Sequence, residues 1–274
     1  QTVTSCRRFV SFEELLLRLP MAESRDELVH FLDQRLNAGL IPDSCPTSLQ
    51  VYGRTIVESA VTAVSASLEL FRIAAEKKAA AIIVHHGLFW DRDSRVIDPL
   101  MRERLSVLFQ HEMNLVAYHL PLDSHPILGN NAQIVSALGF EQDEGGFAHV
   151  GDQPIGRFGV LDEGITPDEF ANRVTEEVGP LHANYPNGPE KIGRIAVCSG
   201  GGARYLLDAA SRGCDAFVTG DLSEPMEMWS REIGIHVLAA GHYATEVFGV
   251  KALAELISAE RKCKARFVDL PTNA

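Results

Sequence analysis

Hydrophobic and polar positions follow two periods along the chain, one typical of helices and one typical of buried strands. The capping box Ser24-Arg25-Asp26-Glu27 precedes apolar residues at helical spacing, and a second one, Thr166-Pro167-Asp168-Glu169, starts a helix near 167–178. Short apolar runs between turn residues predict strands at 48–53, 60–67, 80–84, 114–119, 192–198, 215–220, 235–240 and 265–270. Strands that alternate with helices in this way imply an α/β fold whose sheets are covered by helices.

Two segments of the chain resemble each other and predict an internal repeat. The segment 74–87, AAEKKAAAIIVHHG, aligns with 208–221, DAASRGCDAFVTGD, since each runs from a helix end into a strand that ends in polar residues. The next strands correspond as well, in 114–123 and 234–246. The identity is weak, so general α/β similarity is the alternative to duplication. A duplicated unit would place the ends of four equivalent strands around one cleft.

Composition and charge narrow the class of protein. Hydrophobic residues make up 46% of the chain and charged residues 23%, which is typical of a soluble globular protein. The formal net charge is −12 and Lys and Arg form no cluster, which argues against nucleic acid as a partner because phosphate contacts need such a cluster. No apolar run approaches the roughly 18 residues that span a bilayer, so we expect no membrane partner.

Cysteine usage and the N-terminal segment bear on the compartment. The five cysteines are widely spaced and form no CxxC pair. This usage fits a reducing cytosol and neither a disulfide framework nor a cysteine-type zinc site, so we expect a cytoplasmic protein. Residues 1–23 contain an apolar ELLLRL segment, but Glu13 and Glu14 argue against a signal peptide. We expect this N-terminal arm to be poorly ordered or to form an added helix.

Polar residues follow several predicted strands at the point where each strand ends. Half of the ten histidines fall in three short clusters there. The candidate residues are His85, His86, His119, Asp123, His125, Asp221, His242 and Glu246. Open α/β sheets bind ligands at the carboxyl ends of their strands, so this placement predicts a binding site.

The spacing of these residues is typical of metal ligands. His242 and Glu246 are four residues apart at a predicted helix start and therefore share one helix face. His85 and His86 point to opposite faces of a regular strand and reach a common site only where Gly87 ends the strand. Each cluster alone is explained as well by hydrogen-bonded core histidines or by a solvated loop. The three clusters together predict a metal site.

The number of ligands indicates the kind of metal site. The available side chains are His85, His86, Asp123, His242 and Glu246. Two closed zinc sites need about eight ligands, so five can serve two ions only if a carboxylate bridges them and water completes the coordination. Mixed nitrogen and oxygen ligands suit Zn, Fe(II), Mn, Co or Ni and do not select among these divalent metals.

Six motifs occur in the order found in a known family. They are SLQVYGR, IIVHHGLFW, AYHLPLDSHPILGNNAQ, CSGGGA, FVTGDLSEP and AAGHYATE. On these motifs the chain resembles, over residues 26–272, the Nif-three-like dinuclear metal-centre proteins, whose members are named GTP cyclohydrolase 1 type 2 homologues. It looks most like the short bacterial type. It departs from the family in the N-terminal arm and in DSCPTSLQ before the LQV strand, and neither departure touches the metal residues.

The resemblance implies a fold, a cofactor and an assembly. It implies two intertwined α/β repeats with mixed sheets, and two divalent metal ions held by the same five side chains in the cleft between the repeats. It also implies a ring-shaped homohexamer whose sites face an internal cavity. We predict a first α/β domain over 24–128 plus 232–274 and a second over 129–231.

Residues around the ligands are expected to support the site. Ligating imidazoles usually donate their second N–H to a carboxylate, a carbonyl or water, and Asp221 and Thr245 are candidates for such support. His119 or His125 is the candidate proton shuttle of a catalytic site. The segment Gly200-Gly201-Gly202 either offers backbone N–H groups to a phosphate or forms a tight turn.

Two functions from different classes fit such a site. The first is a metal-dependent hydrolase acting on a small, nucleotide-like substrate, and the resemblance points to the ring opening of GTP. The second is a non-catalytic protein for metal storage, insertion or trafficking, because an open site also releases its ions readily. A protein-interaction scaffold is a third alternative, for which the sequence offers no exposed motif.

Overall fold

The structure is a computed structural model that describes residues 22–273 of the chain. Most of the predicted arm, residues 1–21, lies outside the described residues, and Glu23 belongs to the first strand. The strands are β1 (Glu23–Ser24), β2 (Ser48–Val51), β3 (Ile56–Val57), β4 (Ser59–Ser65), β5 (Ala81–His86), β6 (Asn114–Ala117), β7 (Glu141–Gln142), β8 (Phe147–Val150), β9 (Gln153–Ile165), β10 (Ala183–Pro186), β11 (Ile192–Cys198), β12 (Ala216–Thr219), β13 (His236–Ala239) and β14 (Lys264–Phe267). The helices are α1 (Arg25–Arg35), α2 (Leu68–Glu76), α3 (Pro99–Gln110), α4 (Leu120–Asp123), α5 (Asn130–Ala137), α6 (Pro167–Glu177), α7 (Leu206–Ser211), α8 (Met226–Ile233) and α9 (His242–Glu260), with a 3-10 helix at Gly202–Tyr205.

Two mixed sheets form the framework, and they share one pattern. The first sheet has the order β14-β4-β5-β6-β2, in which only β2 is antiparallel to its neighbour. The second sheet has the order β10-β13-β12-β11-β9-β7, with β8 paired to β9. In both sheets, an antiparallel edge strand comes before three parallel strands in the sequence. It pairs with the strand that comes last in the sequence among these three. This common order is what the predicted repeat requires, because β5 and β12 are the aligned strands.

Helices cover both faces of each sheet. Apolar residues of α2 and α3 pack on one face of the first sheet, and those of α1 and α9 pack on the other. In the second sheet, α7 and α8 lie on one face and α5 and α6 on the other. A strand covered on both sides is apolar throughout, and β5 is accordingly buried from Ala81 to His85.

Side-chain caps start the helices where the sequence predicts them. The Ser24 hydroxyl accepts a hydrogen bond from the Glu27 N–H at 3.5 Å, and the Thr166 hydroxyl accepts one from the Glu169 N–H at 3.2 Å. Both capping boxes are therefore confirmed as N-termini, of α1 and α6. Among the described residues no helix is both long enough and apolar enough to cross a membrane.

The division between the two sheets differs from the predicted domain boundary. β13 hydrogen-bonds to β12 and β10, so it belongs to the second sheet, although the predicted boundary at 231/232 assigns it to the first domain. The chain returns to the first sheet only with α9, which packs on β4 and β14. The second unit thus runs to about residue 240, and the first unit is completed by α9 and β14.

The sequence predicts no element between 129 and 165, yet α5 and β7 to β9 lie there. This region contains eight glycines, and the charged stretch Asp162-Glu163 interrupts the alternation of β9. Glycine and charge weaken the strand signal, because β-propensity reflects side chains that pack on a pleated surface. The long strand β9 is held by pairing with β11, β7 and β8.

Candidate metal centre

The carboxyl ends of the parallel strands from both sheets meet at one cleft. β5 ends in His85-His86 and β6 leads into His119, while β12 leads into Asp221 and β13 into His242. This is the edge at which open α/β sheets bind ligands. The repeat therefore brings polar residues from distant parts of the sequence to one place.

The two histidines at the end of β5 are anchored through the same ring nitrogen. His85 Nδ1 lies 3.1 Å from the Tyr118 carbonyl oxygen, and His86 Nδ1 lies 2.9 Å from the Ser65 hydroxyl. These partners fix each ring and leave Nε2 directed into the cleft. The ring centroids are 4.7 Å apart, so the two imidazoles face a common space.

The strand breaks after the histidine pair because of a close side-chain contact. A Cβ atom on Gly87 would lie 2.3 Å from the Gln50 amide nitrogen. Gln50 in turn accepts a hydrogen bond from the Leu88 N–H at 2.8 Å. Glycine at 87 thus lets Gln50 hold the turn that aims both imidazoles at the cleft.

Glu246 lies at the centre of the cluster. Its side chain is in contact with three imidazoles: Oε1 is 3.2 Å from His242 Nε2 and 3.5 Å from His85 Nε2, and Oε2 is 3.1 Å from His86 Nε2. Glu246 is only 3% exposed. His242 is anchored like the other two histidines, because its Nδ1 lies 2.8 Å from Asp221 Oδ2.

Asp123 completes the set from the short helix α4. Its Oδ2 lies 3.6 Å from His85 Nε2, and its Oδ1 accepts a hydrogen bond from the Asn130 amide at 2.9 Å. The Ser199 hydroxyl lies 3.5 Å from the same Oδ1. Asp123 and Glu246 therefore approach His85 Nε2 together, each offering one oxygen. The structure brings all five predicted ligands to one cluster.

Two buried polar atoms in this cluster have no hydrogen-bond partner. They are His85 Nε2 and Glu246 Oε2, whose contacts with neighbouring side chains at 3.1 to 3.6 Å do not have hydrogen-bond geometry. A buried nitrogen or oxygen without a hydrogen bond costs about 1–3 kcal/mol of folding stability, and such atoms are rare in native proteins. A cation that accepts both lone pairs removes that cost. The donor set therefore fits a divalent metal ion.

The ligand atoms fall into two overlapping groups. His86, His242 and Glu246 form one group, and His85, His86 and His119 form the other; within each group the ligand atoms lie within 4.8 Å of one another. Glu246 presents different oxygens to different imidazoles, which is the geometry that a bridging carboxylate needs. The residues can thus hold metal through nitrogen and oxygen ligands.

Charge coupling within the cluster shifts the pKa values of its members. Burial raises the pKa of Glu246, but the charges of His85 and His86 and the hydrogen bond from His242 outweigh it, so this pKa lies well below its usual value. Burial lowers the pKa of His85, but Asp123 and Glu246 raise it more, to about 9. The hydrogen bond to Glu246 raises the pKa of His242 to about 9, against the effect of burial. In the metal-free chain, protons therefore occupy positions that a cation would take.

His119 forms a hydrogen-bonded pair that the sequence does not reveal. Its Nδ1 lies 2.9 Å from Asp43 Oδ1, and the other oxygen of Asp43 accepts the Leu120 N–H at 2.8 Å. Burial raises the pKa of Asp43, but His119 and two backbone N–H groups lower it more, so the carboxylate stays ionised. Nothing in the spacing connects residue 43 with residue 119; an aspartate before a proline-containing turn is an ordinary loop residue.

His125 does not join this cluster. Its Nδ1 accepts hydrogen bonds from the N–H groups of Ile127 and Leu128, at 3.1 and 2.9 Å. It closes the loop after α4 and lies beside Arg157 in a separate small pocket. The prediction that His125 is a candidate proton shuttle is therefore wrong, because the loop turns this residue away from the metal ligands. His119 remains the candidate.

The two predicted supporting residues act in different ways. Asp221 contacts a ligating imidazole directly, as predicted. Thr245 instead accepts the Gly200 N–H at 3.0 Å through its hydroxyl, which also donates to the Gly241 carbonyl just before α9. The glycine segment at 200–202 is a tight turn, with Gly200 at φ +54° and packed against Glu246. Ser65, which positions His86, has no sequence signal beyond its place at the end of a strand.

The cluster opens into a cavity of about 560 Å³. Four of the five ligands reach its wall, all except His85, together with His119. The remaining lining includes Trp90, Leu120, Ile155, Cys198, Arg204 and Tyr205. Phe89, next to Trp90 in the sequence, packs against the core of the first sheet. A cavity of this size accommodates a small organic molecule next to the candidate metal centre.

Comparison with known proteins assigns the family. A sequence profile of the Duf34/NIF3 family (NGG1p interacting factor 3) matches residues 24–273. The chain belongs to this family. Its Duf34/NIF3 relatives include a Vibrio cholerae protein, 41% identical over 246 residues that cover 89% of this chain and 97% of that relative. A Haemophilus influenzae protein is 39% identical over 250 residues, which cover 90% of this chain and 98% of that one.

Both relatives carry the name "GTP cyclohydrolase 1 type 2 homolog". The family that the six motifs predict is thereby confirmed, and the word homolog in these names states similarity and not a measured activity. Among Duf34/NIF3 structures, protein ybgI, described as of unknown function, is 38% identical with a TM-score of 0.86, covering 92% of this chain and 100% of that one. TTHA1606 from Thermus thermophilus is 34% identical with a TM-score of 0.80, at the same coverages.

Proposed function

We propose that this protein is a metal-dependent hydrolase that acts on a small, nucleotide-like substrate. Two divalent ions would be held by His85, His86, Asp123, His242 and Glu246. The observation that supports this proposal best is the pair of buried atoms without hydrogen bonds, His85 Nε2 and Glu246 Oε2, beside an open cavity that Glu246 lines. The relatives' name makes GTP the first substrate to test.

The protein's own groups supply what such a reaction needs around the metal. Divalent ions bound here would act as Lewis acids, making water nucleophilic near neutral pH and stabilising charge that develops on the substrate. Nδ1 anchors on Tyr118, Ser65 and Asp221 keep the three ligating imidazoles in the tautomer that presents Nε2. The ligands are therefore preorganised before any ion binds.

His119 is the residue that would move a proton. It lines the cavity, and its Nδ1 is engaged by Asp43, so its Nε2 is the atom left to take or give a proton. Asp43 orients the ring, as a buried carboxylate does in other histidine-based sites. Leu120 and Ile155 give this side of the cavity an apolar surface.

Hydrolysis is tested with the purified chain loaded separately with Mn, Fe or Zn and assayed against nucleoside triphosphates, GTP first. We expect turnover by the wild type and by Glu255→Gln, an exposed change on the same helix, and none by Glu246→Gln. If no nucleotide is turned over with any metal, the hydrolase proposal fails. Retention of the ions without turnover would favour the storage or trafficking function, which the partial exposure of His86 and His242 would suit.

The role of the Asp43–His119 pair is tested with Asp43→Asn. The amide keeps the shape of the side chain but no longer fixes the orientation and tautomer of the His119 ring, so we expect turnover to fall about ten- to a hundredfold while metal content stays at the wild-type value. The exposed change Asp93→Asn is the matched control. Wild-type turnover by Asp43→Asn would remove this pair from the proposed reaction.

The assembly implied by the resemblance stays a prediction. We propose a homohexamer, six chains of 30.0 kDa each, with its metal centres facing an internal cavity. Light scattering coupled to size-exclusion chromatography measures the molar mass directly. A monomer or dimer under all buffer conditions would contradict this proposal.

A further inference from the structure

An arginine without a carboxylate partner lies on the wall of the metal cavity. Arg204, in the 3-10 helix after β11, lines the cavity together with His242 and Glu246. Within residues 22–273 it forms no salt bridge and no side-chain hydrogen bond. Its guanidinium carbon lies 4.8 Å from the centre of the Tyr205 ring, and such a cation–π contact holds the charged group in place without neutralising it.

The carboxylate closest in sequence is already engaged. Asp208, four residues after Arg204, is at the spacing at which helical ion pairs form. Its Oδ1 instead accepts from Arg212 Nε at 3.1 Å, and its Oδ2 accepts the Ala148 N–H at 3.0 Å. Arginines on neighbouring helices, Arg212 and Arg231, each pair with the acid four residues earlier. Arg204 therefore differs from them in keeping its donors free at the cavity.

The charge of the cavity favours an anion. Two divalent ions would carry four positive charges against the four carboxylates around the site, Asp43, Asp123, Asp221 and Glu246, so Arg204 would give the cavity a net positive charge. The chain as a whole carries a formal net charge of −12, so an anion would be held by this local charge and not by the long-range field of the protein. The guanidinium charge also reaches the cavity floor: burial raises the pKa of the Cys198 thiol, and Arg204 acts in the opposite sense.

We propose that Arg204 binds an oxyanion of the substrate, a phosphate or a carboxylate, while the substrate's reacting atom lies at the metal centre. The inference rests on the proposed function, since it assigns the oxyanion to the molecule that is hydrolysed. A planar guanidinium offers two parallel N–H donors that match such a group. The aromatic rings of Trp90 and Tyr205 also line the cavity and offer apolar faces to the rest of such a substrate.

The test measures anion binding and requires no turnover. Wild type, Arg204→Gln, Arg204→Lys and Arg231→Gln are loaded with Zn, their metal content is verified, and each is titrated with inorganic phosphate in a calorimeter. A second series uses acetate. Arg231→Gln removes the same charge from α8, off the cavity, without releasing Asp208, and serves as the matched control. Phosphate and acetate represent the two sources of the oxyanion.

We expect Arg204→Gln to weaken the binding of one of these anions about ten- to a hundredfold, the loss of a charge-assisted hydrogen bond. Arg204→Lys should be intermediate, because an ammonium keeps the charge but lacks two parallel N–H donors. Arg231→Gln should bind the anions as the wild type does. Equal affinity of wild type and Arg204→Gln for both anions would overturn the inference, and so would a wild type that binds neither. A failed hydrolase assay with Arg204-dependent anion binding intact would instead count against the proposed reaction.

Discussion

At the scale of single residues, the site depends on a close approach of backbone to a buried carboxylate. A Cβ atom on Gly200 would lie 2.1 Å from Glu246 Oε1 and 3.0 Å from His242 Nε2. Gly200 also has a φ of +54°, which favours glycine. The loop after β11 thus forms part of the wall that keeps Glu246 among its imidazoles.

Gly200→Ala should therefore lose metal binding as well as stability. The added methyl group has to displace Glu246 or the loop, so we expect metal content to fall below half that of the wild type. Gly213→Ala is the control, since Gly213 has a φ of +74° but nothing near its Cβ position; it should lose about 1–2 kcal/mol of stability from strain and keep its metal. Normal metal content in Gly200→Ala would contradict this view of the loop.

The metal ligands are the feature of the site that the sequence predicts best. The ligands could be predicted because His85 and His86 end a strand, whereas His242 and Glu246 share one face at the start of a helix. The position of a residue within such an element fixes the direction of its side chain. Asp43 and Ser65 could not be predicted, because their partners His119 and His86 lie 76 and 21 residues away and only the folded sheet brings them together. His125 was misplaced for the same reason, since the turn after α4 decides its direction.

At the scale of elements, α5 ties Asp123 to the long helix α9. The Asn130 amide donates to Asp123 Oδ1 at 2.9 Å, and its oxygen accepts the Gly249 N–H at 2.7 Å. Asn130 is fully buried. One side chain therefore fixes a ligand from α4 relative to the helix that carries His242 and Glu246.

Removing this link should affect both stability and the metal. Asn130→Ala leaves two buried groups unpaired, each worth about 1–3 kcal/mol, and frees Asp123, so we expect a lower melting temperature and weaker metal affinity. Gln133→Ala on the same helix also loses a hydrogen bond, to the Ile127 carbonyl, but this bond is exposed to solvent. This variant should therefore change the melting temperature and the metal affinity only slightly. Thermal unfolding and metal titration of the two variants measure the difference. Indistinguishable variants would contradict the role given to Asn130.

Element boundaries were harder to predict than element types. The buried run at 235–240 was correctly predicted as a strand, but its sheet depends on pairing with β12 and β10, which local pattern does not encode. Similarly, β9 is long because three other strands pair with it, although its own sequence is rich in glycine. Register and partner choice are properties of the assembled sheet.

At the scale of the whole molecule, the metal centre joins α9 to the end of β5 and to α4, so its charge state should influence global stability. Without metal, His85 and His242 have pKa values of about 9, above the usual 6.5. Groups with a raised pKa in the folded state stabilise it fully below pH 6.5, and that contribution is lost as pH rises through about 9. The metal-free protein should therefore become less stable over this range.

This expectation is checked by the melting temperature in the presence of a chelator between pH 6.5 and 9.5. We expect a steady fall for the metal-free wild type, a smaller fall for His242→Gln, and an unchanged fall for His111→Gln at an exposed position. With saturating zinc the fall should largely disappear, because the cation takes the place of the protons. A flat profile without metal would contradict the charge coupling described for the cluster.

In the proposed site, the start of α9 and two earlier segments, the end of β5 and α4, contribute ligands to one pair of ions through Glu246. Mass spectrometry with inductively coupled plasma, after zinc loading and desalting, counts ions per chain. We expect two ions per chain for the wild type and for Glu255→Gln, and loss of both in Glu246→Gln. Two ions per chain retained by Glu246→Gln would contradict the bridging role of Glu246.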